Sequence, residues 1–211
     1  MTRPDLQETY WNRVAGKKTF TVPFEMDRFG QYVSRSADIL DLGCGYGRIL
    51  NQLDTAGFAA LTGVDFSSRM ITRGRQCFPG LSLIPMTAGS PAFKDATFDA
   101  VLLIAVMTCI ETDAEQFNLM RQIHRVLRPG GIIYFSDFLL NKDRRNLDRY
   151  HENSGCYGVF ELSDGAVLRH HHPDHIARIT SGFQTIVFEN RVFPTMNGHQ
   201  SNGFLYIGKN L

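Results

Sequence analysis

The sequence predicts an α/β fold in which a parallel sheet carries helices on both faces. Three observations lead there. Short apolar runs alternate with amphipathic stretches from Asp38 to Phe135. One run, Ala100 to Ala105, is continuously apolar, as a parallel strand buried on both faces must be. The last third breaks the rhythm: Phe183 to Phe193 and Phe204 to Ile207 read as two strands joined without a helix, so they should pair antiparallel.

Pro4 to Val14 places Leu6, Tyr10, Trp11 and Val14 on one face at helical spacing. A polar linker, Gly16 to Thr19, and Pro23 separate it from a second predicted helix, Phe24 to Val33. Ile39-Leu40 forms a short strand running into glycines, followed by a helix with Ile49, Leu50 and Leu53 that stops at Gly57. Ala60 to Val64 is the next strand, and Ser67 is placed to cap a helix bearing Met70 and Ile71, which ends before Pro79-Gly80. Leu81 to Ile84 is the third strand and Ala100 to Ala105 the fourth. Thr112-x-x-Glu115 is a capping box opening a helix with Phe117, Met120, Ile123 and Leu127 at 3–4-residue spacing; Pro129-Gly130-Gly131 ends it, and Ile132 to Phe135 is the fifth strand. Leu139 to Ser181 is an insertion rich in Asn, Asp, Arg, His and Tyr.

Composition bounds the function. At 211 residues the chain fits one domain, on a scale of about 150 residues per domain. Apolar residues make up 43% and charged residues 20%, enough for a sizeable core. The formal net charge of +1 lacks the basic excess of a dedicated nucleic-acid binder and gives no general attraction to anionic membranes. No apolar run approaches the ~20 residues of a membrane helix, and Met1 to Asp5 carry no export signal. Cys44, Cys77, Cys109 and Cys156 are widely spaced without a Cys-x-x-Cys pair, so reduced thiols and a cytoplasmic location are expected.

The most informative segment is Ile39-Leu40-Asp41-Leu42-Gly43-Cys44-Gly45-Tyr46-Gly47-Arg48. A strand ending in a glycine turn that opens a helix presents backbone N–H groups to an anionic or polar ligand. The dinucleotide spacing G-x-G-x-x-G fails, because Arg48 holds the third glycine slot. Gly43-x-Gly45-x-Gly47 after Asp41 suits a ligand with an amino-acid tail and no pyrophosphate: Asp41 for an ammonium, the loop amides for a carboxylate. Asp65 ends the second strand 18 residues beyond Gly47, near the ~20 expected of a ribose-binding carboxylate. Two vicinal hydroxyls can donate to it, and Phe66 offers a face to an adenine ring.

With these segments, Phe93 to Val101 and Arg125 to Gly131, the chain resembles the class I S-adenosylmethionine (SAM)-dependent methyltransferases over about residues 37–138. The resemblance implies a Rossmann-like, doubly wound seven-stranded sheet of order 3-2-1-4-5-7-6 with strand 7 antiparallel. It implies SAM as cofactor and S-adenosylhomocysteine as product. Asp41, Gly43 and Gly45, with Cys44 between the glycines, should hold the methionine portion; Asp65 the ribose; Phe66 the adenine. Thr87-Ala88 stand where many relatives carry an acid and a small residue for the adenine amino group, so that carboxylate is missing. Ile104 and Ala105 should line the sulfonium and methyl end. A single methyltransferase domain, 1–211, is expected: an N-terminal helical lid (1–36), a SAM-binding core (37–138), an acceptor-side insertion (139–181) and strands 6 and 7 (182–211).

SAM carries its own leaving group, so alignment and water exclusion do most of the catalysis, and a base is needed only for an acceptor protonated at neutral pH. Ala105-Val106-Met107-Thr108 replaces the Asn/Asp-Pro-Pro-Tyr motif of similar enzymes acting on planar amides and base amines. Tyr10, Trp11, Tyr157, Arg169 and His170 are the acceptor-side candidates; Asp137, Tyr157 and His170 are the candidate catalytic groups. His170, His171 and His172 invite a metal, but adjacent strand residues point to opposite faces, so no metal is expected. His172-Pro173 should begin a helix, since proline favours its first position. The expected partner is a small-molecule methyl acceptor, with the chain a monomer or homodimer, no membrane and no nucleic acid. A nucleic-acid or protein methyltransferase, to which Arg144-Arg145 and Arg149 lend a diluted basic patch, and a non-catalytic SAM-fold subunit are the alternatives.

Overall fold

The structure, a computed structural model, describes residues 3–86, 93–152 and 156–211. Seven strands form one sheet in the order β3-β2-β1-β4-β5-β9-β8. They are β1 (Asp38–Leu42), β2 (Ala60–Asp65), β3 (Ser82–Pro85), β4 (Phe98–Ile104), β5 (Leu127–Phe138), β8 (Phe183–Pro194) and β9 (Gln200–Asn210). Strand β9 is antiparallel to both β5 and β8, and the pairs among the first five strands are parallel. This is the expected order, with β8 and β9 as the sixth and seventh strands.

The helices follow local signals. Helix α1 covers Arg3–Val14, α3 Arg48–Thr55, α4 Ser68–Cys77, α5 Asp113–Val126 and α7 Pro173–Ile179. Ser67 accepts from the Met70 amide and Thr112 from the Glu115 amide, so both expected caps satisfy first-turn donors. Proline opens α7, and the His172 side chain accepts from the Asp174 amide ahead of it.

Side-chain alternation divides the core. Leu40, Leu42, Val101 and Leu103 face α5 and α7, while Ile39, Ala100 and Leu102 face α3 and Phe29. A third cluster joins Tyr10 and Trp11 of α1, and Ala15 just after it, to Met70, Tyr46 and Ala166.

Two expectations need correction. The second helix, α2, is only Met26–Phe29, not Phe24 to Val33. Phe24 is held outside it, its ring 5.0 Å from that of Tyr134, whose hydroxyl accepts from the Glu25 amide; tertiary packing overrides the helical spacing. Helix α5 ends at Val126, before the Pro-Gly-Gly, and β5 starts at once. Leu127 pairs with Phe98 and Ile132 with Ala100, so residues 128–131 bulge from the ladder, turning at Gly130 with φ 81°. The insertion holds α6 (Arg144–Glu152) and the hairpin β6 (Val159–Glu161)–β7 (Val167–Arg169). Thr87 and Ala88 lie outside the described residues.

Candidate functional site

The carboxyl ends of β1, β2 and β4 open into a cavity of about 490 Å³, within the roughly 300–1,000 Å³ of small-ligand pockets. Its floor is the glycine loop. Gly43, Gly45 and Gly47 have φ of 77°, 56° and 82°, which glycine adopts at no steric cost. A Cβ on Gly43 would lie 2.4 Å from a Val106 methyl, and one on Gly45 2.2 Å from the Phe20 ring. The Gly43 and Cys44 amides both donate to the Val64 carbonyl, binding the loop to β2.

Two carboxyls stand at this floor. Asp65 accepts from the Gly45 amide (2.9 Å) and from the Ser67 amide (2.8 Å), one on each oxygen. Burial pushes it up to about 6 against those two bonds. A carboxylate has about four acceptor sites, so capacity remains on both oxygens for a pair of hydroxyls. Asp41 is 2% exposed, and its Oδ2 has no hydrogen-bond partner. Burial, then the Asp65 charge, pushes Asp41 up to about 7, with Arg48 pulling the other way. An orphaned buried carboxyl oxygen costs free energy until a donor reaches it, and an ammonium is the donor such a site suits.

Ile104 and Ala105 line the cavity where β4 ends. Ala105 is a non-glycine residue at φ 54°, its amide held by the Ser136 carbonyl at 2.8 Å. That conformation stores about 1–3 kcal/mol and turns the chain sharply at the cavity edge. Asp41, Gly43, Cys44, Asp65 and Phe66 line the same space; Gly45 stands just behind it, under the Phe20 ring. The two carboxyls and the cavity fit the ammonium and ribose hydroxyls of an adenosyl amino acid, while the Gly43, Cys44 and Gly45 amides expected for its carboxylate already donate to the Val64 carbonyl and Asp65.

Tyr10 and Trp11 line the cavity from α1 with their rings edge to face at 5.2 Å, and both are buried, so each is core residue and wall at once. His170 also lines it. The other acceptor-side candidates do not. Tyr157 is 51% exposed and packs its ring against Tyr150. Arg169 is buried, its guanidinium bonded to the Glu111 carbonyl and the Asp113 carboxylate. Asp137 is no wall residue either: its carboxyl accepts from the Thr108 and Phe138 amides and fixes the 3₁₀ turn Met107–Cys109 from beneath. An acid at a strand's carboxyl end reads as functional in sequence; here backbone donors consume it.

The three adjacent histidines diverge. His170 bonds Tyr150, His171 bonds Gln116 and the Phe138 carbonyl, and His172 caps α7. No group of three or more His, Cys, Asp or Glu among the described residues is placed to hold a metal. No helix among the described residues is long and apolar enough to cross a membrane. Sequence reasoning missed Phe20, Arg145, Asn146, Arg149 and Phe160 as wall residues. The four-residue spacing of Arg145 and Arg149 on one helix face was the available signal.

Residues 40–135 match a family model described as a methyltransferase domain. The demethylmenaquinone methyltransferase of Chlorobaculum tepidum is 27% identical over 136 residues, 64% of this chain and 52% of that protein. The eEF1A lysine and N-terminal methyltransferase of Homo sapiens is 27% identical over 111 residues, 48% of this chain and 16% of that one. The chain thus spans about half the length of the first and about one-sixth of the second. A SAM-dependent methyltransferase structure from Methanosarcina mazei shares the fold at a TM-score of 0.82 and 22% identity, covering 90% of this chain and 98% of that one.

Proposed function

We propose, from the methyltransferase-domain match over residues 40–135 and the site described above, that the chain is a class I SAM-dependent methyltransferase and that it methylates a small-molecule acceptor. The observation that carries this reading is the partial cover of the cavity by α1 and the β6–β7 hairpin, both of which contribute wall residues. Helix α1 and the β6–β7 hairpin meet across its mouth, where the Tyr10 hydroxyl and Lys18 ammonium both donate to Asp164 at 2.9 Å. Such a roof admits a compact molecule more readily than a chain segment of a folded protein. Residues 1–36 and 139–181 serve as lid and acceptor wall over the core of 37–138.

Bound SAM supplies a sulfonium-activated methyl group, whose transfer forms the acceptor–carbon bond as the carbon–sulfur bond breaks and leaves S-adenosylhomocysteine. Asp41 takes the ammonium on its unpartnered oxygen, and the Gly43 and Gly45 region brings main chain close to the carboxylate. Asp65 receives the ribose hydroxyls, Phe66 flanks the adenine, and Ile104 and Ala105 border the reacting end. The aromatic wall of Tyr10, Trp11 and Phe20 keeps water out of this space.

The test is to incubate the protein with SAM carrying a labelled methyl group and a cell-free metabolite extract, then separate small molecules from macromolecules. Label is expected in the small-molecule fraction. Label confined to precipitated protein or nucleic acid sinks the reading in favour of a macromolecular acceptor, and calorimetry with no S-adenosylhomocysteine binding favours a non-catalytic subunit.

A further inference from the structure

The cavity wall opposite the glycine loop is built from α6, the carboxyl end of β5 and the β6–β7 hairpin. Arg145 and Arg149 stand one helical turn apart and both reach the cavity. Arg144 and Asp148, on the other side of α6, pair with each other at 2.8 Å, and the Arg144 side chain is 90% exposed. The basic patch of the sequence is therefore split: one arginine is solvated and two turn inward.

Neither inward arginine is neutralised well. Among the described side chains, which do not include those of residues 151–155, no carboxylate lies within ion-pair distance of Arg149, whose guanidinium carbon sits 5.6 Å from the Phe160 ring centroid. Arg145 reaches Asp143 only at 3.7 Å, and that carboxylate already accepts from the Asn146 amide group at 2.5 Å. The acids that line the cavity are Asp41 and Asp65 at the glycine loop and Glu111 and Glu115 beside α5, with none on this wall.

His170 joins the two arginines. Asn141 Nδ2, which can only donate, lies 3.3 Å from His170 Nδ1, so that nitrogen accepts and the Tyr150 hydroxyl at 2.6 Å donates to it as well. A neutral imidazole that accepts on Nδ1 carries its proton on Nε2 and is a donor there. Burial, reinforced by the nearby Arg149 and Arg145 charges, holds His170 down at about 3. It is thus a fixed donor rather than a base. Its ring is stacked on Phe138 at 5.6 Å and edge-on to Phe160 at 4.8 Å, giving the same wall two aromatic faces.

We propose that the acceptor is an aromatic or similarly planar carboxylic acid, its carboxylate received by Arg149 and Arg145 with the His170 Nε2–H, and its ring lying along the cavity wall that Phe138, His170 and Phe160 line together. This rests on the methyl-transfer reading and adds the chemical class of the acceptor. The guanidinium fork matches a carboxylate in two parallel hydrogen bonds, and a half-buried setting strengthens them. A planar apolar body suits the aromatic flank. His170 and the arginines are positioning residues, holding one end of the acceptor.

The experiment titrates the full chain by calorimetry with 4-hydroxybenzoate, 4-hydroxybenzamide and phenyl phosphate, each with and without saturating S-adenosylhomocysteine. The carboxylate is expected to bind at least tenfold more tightly than the amide and more tightly than the phosphate. Arg149→Gln should erase the preference for the carboxylate while S-adenosylhomocysteine binds as in wild type. Arg144→Gln, on the solvated side, should leave the preference intact. Equal binding of acid and amide, no binding of any probe at millimolar concentration, tighter binding of the phosphate, or a preference surviving in Arg149→Gln overturns the proposal. Failure of S-adenosylhomocysteine to bind strikes the methyl-transfer reading instead, and the titrations without it still read the anion preference.

Discussion

Asp41 combines two properties that conflict in the free protein: a carboxyl held in a buried place, and an oxygen with no donor. Burial and the neighbouring Asp65 raise it to about 7, so near neutrality about half the molecules carry it protonated. An ammonium ligand requires the ionised form, and binding must release that proton whenever the pH lies below 7. The affinity for S-adenosylhomocysteine is therefore expected to be about tenfold weaker at pH 6 than at pH 8, by the ionised fraction of a group titrating near 7. Asp41→Asn should flatten this dependence and weaken binding at pH 8 by about 1.5–3 kcal/mol, the usual size of a hydrogen bond to a charged group. Calorimetry across pH 5.5–8.5 checks both; a steep profile retained in the Asn variant would move the titration to another group. Asp65 is less exposed to this effect, since both its oxygens already accept amide protons.

Elements close the site, and their closure is weakly held. Asp164, in the turn of the β6–β7 hairpin, collects the Tyr10 hydroxyl and the Lys18 ammonium on one oxygen, and its carbonyl takes the Arg13 guanidinium. Gln7 adds a bond to the Val167 carbonyl at 2.7 Å. The Asp164 side chain is 41% exposed, and such pairs are each worth about 0–1 kcal/mol. Asp164→Ala is thus expected to leave the global unfolding midpoint close to wild type. It should speed proteolytic cleavage within residues 3–20 several-fold, with S-adenosylhomocysteine slowing that cleavage. Unchanged cleavage would mean that α1 is held by its buried aromatic face alone. This scale also separates what the sequence made legible from what it hid. Strands β1, β2 and β4 and helices α4 and α5 were readable because their signals are local: a glycine after a strand, Ser67 before Met70, Thr112 before Glu115. Helix α2 was overestimated because Phe24 packs on Tyr134, a partner 110 residues away that no window contains. The spacing of Asp41, Gly43, Gly45 and Asp65 pointed to the floor of the site, while Arg145 and Arg149 read with Arg144 only as a diluted basic patch, because which of them face the cavity depends on how α6 is set against it. Asp137 misled for the converse reason: its partners are backbone amides, invisible in side-chain identity.

Across the whole molecule, two sets of buried groups pull stability in opposite directions with pH. Asp41, Asp65 and Asp137 are raised to about 7, 6 and 7, so from about pH 4 upward the unfolded chain has released protons that the fold retains. Their contribution is present at low pH and lost as pH rises through 6–7. His170 and His171 are lowered to about 3, mainly by burial, and His175 is lowered as well. The unfolded chain binds protons below about 6.5 that these rings refuse, so their contribution is lost as pH falls. His171 sits in a directed chain: the His175 ring donates to Gln116 Oε1 (2.7 Å), Gln116 Nε2 donates to His171 Nε2 (2.9 Å), and His171 Nδ1 donates to the Phe138 carbonyl (3.1 Å). A proton on His171 Nε2 would abolish the middle bond and part α5 from the β5–β7 junction. The raised carboxyls and the lowered histidines have opposite slopes between about pH 4.5 and 6.5 and flatten the dependence of stability there. Below about pH 4 the carboxyl contribution is exhausted, and the histidines act together with Asp99, Asp113, Asp143 and Asp164, whose pKa values are held below the usual carboxylate range. Urea unfolding at intervals from pH 3 to 8 is therefore expected to show a plateau, then a steep acid collapse. His171→Asn, which keeps a donor for the Phe138 carbonyl, should lower the plateau and tilt it so that stability rises toward acid. A uniform decline from pH 6.5 downward in wild type would show that the carboxyls are ionised in the free fold, and the pH dependence expected of Asp41 would then fail with it.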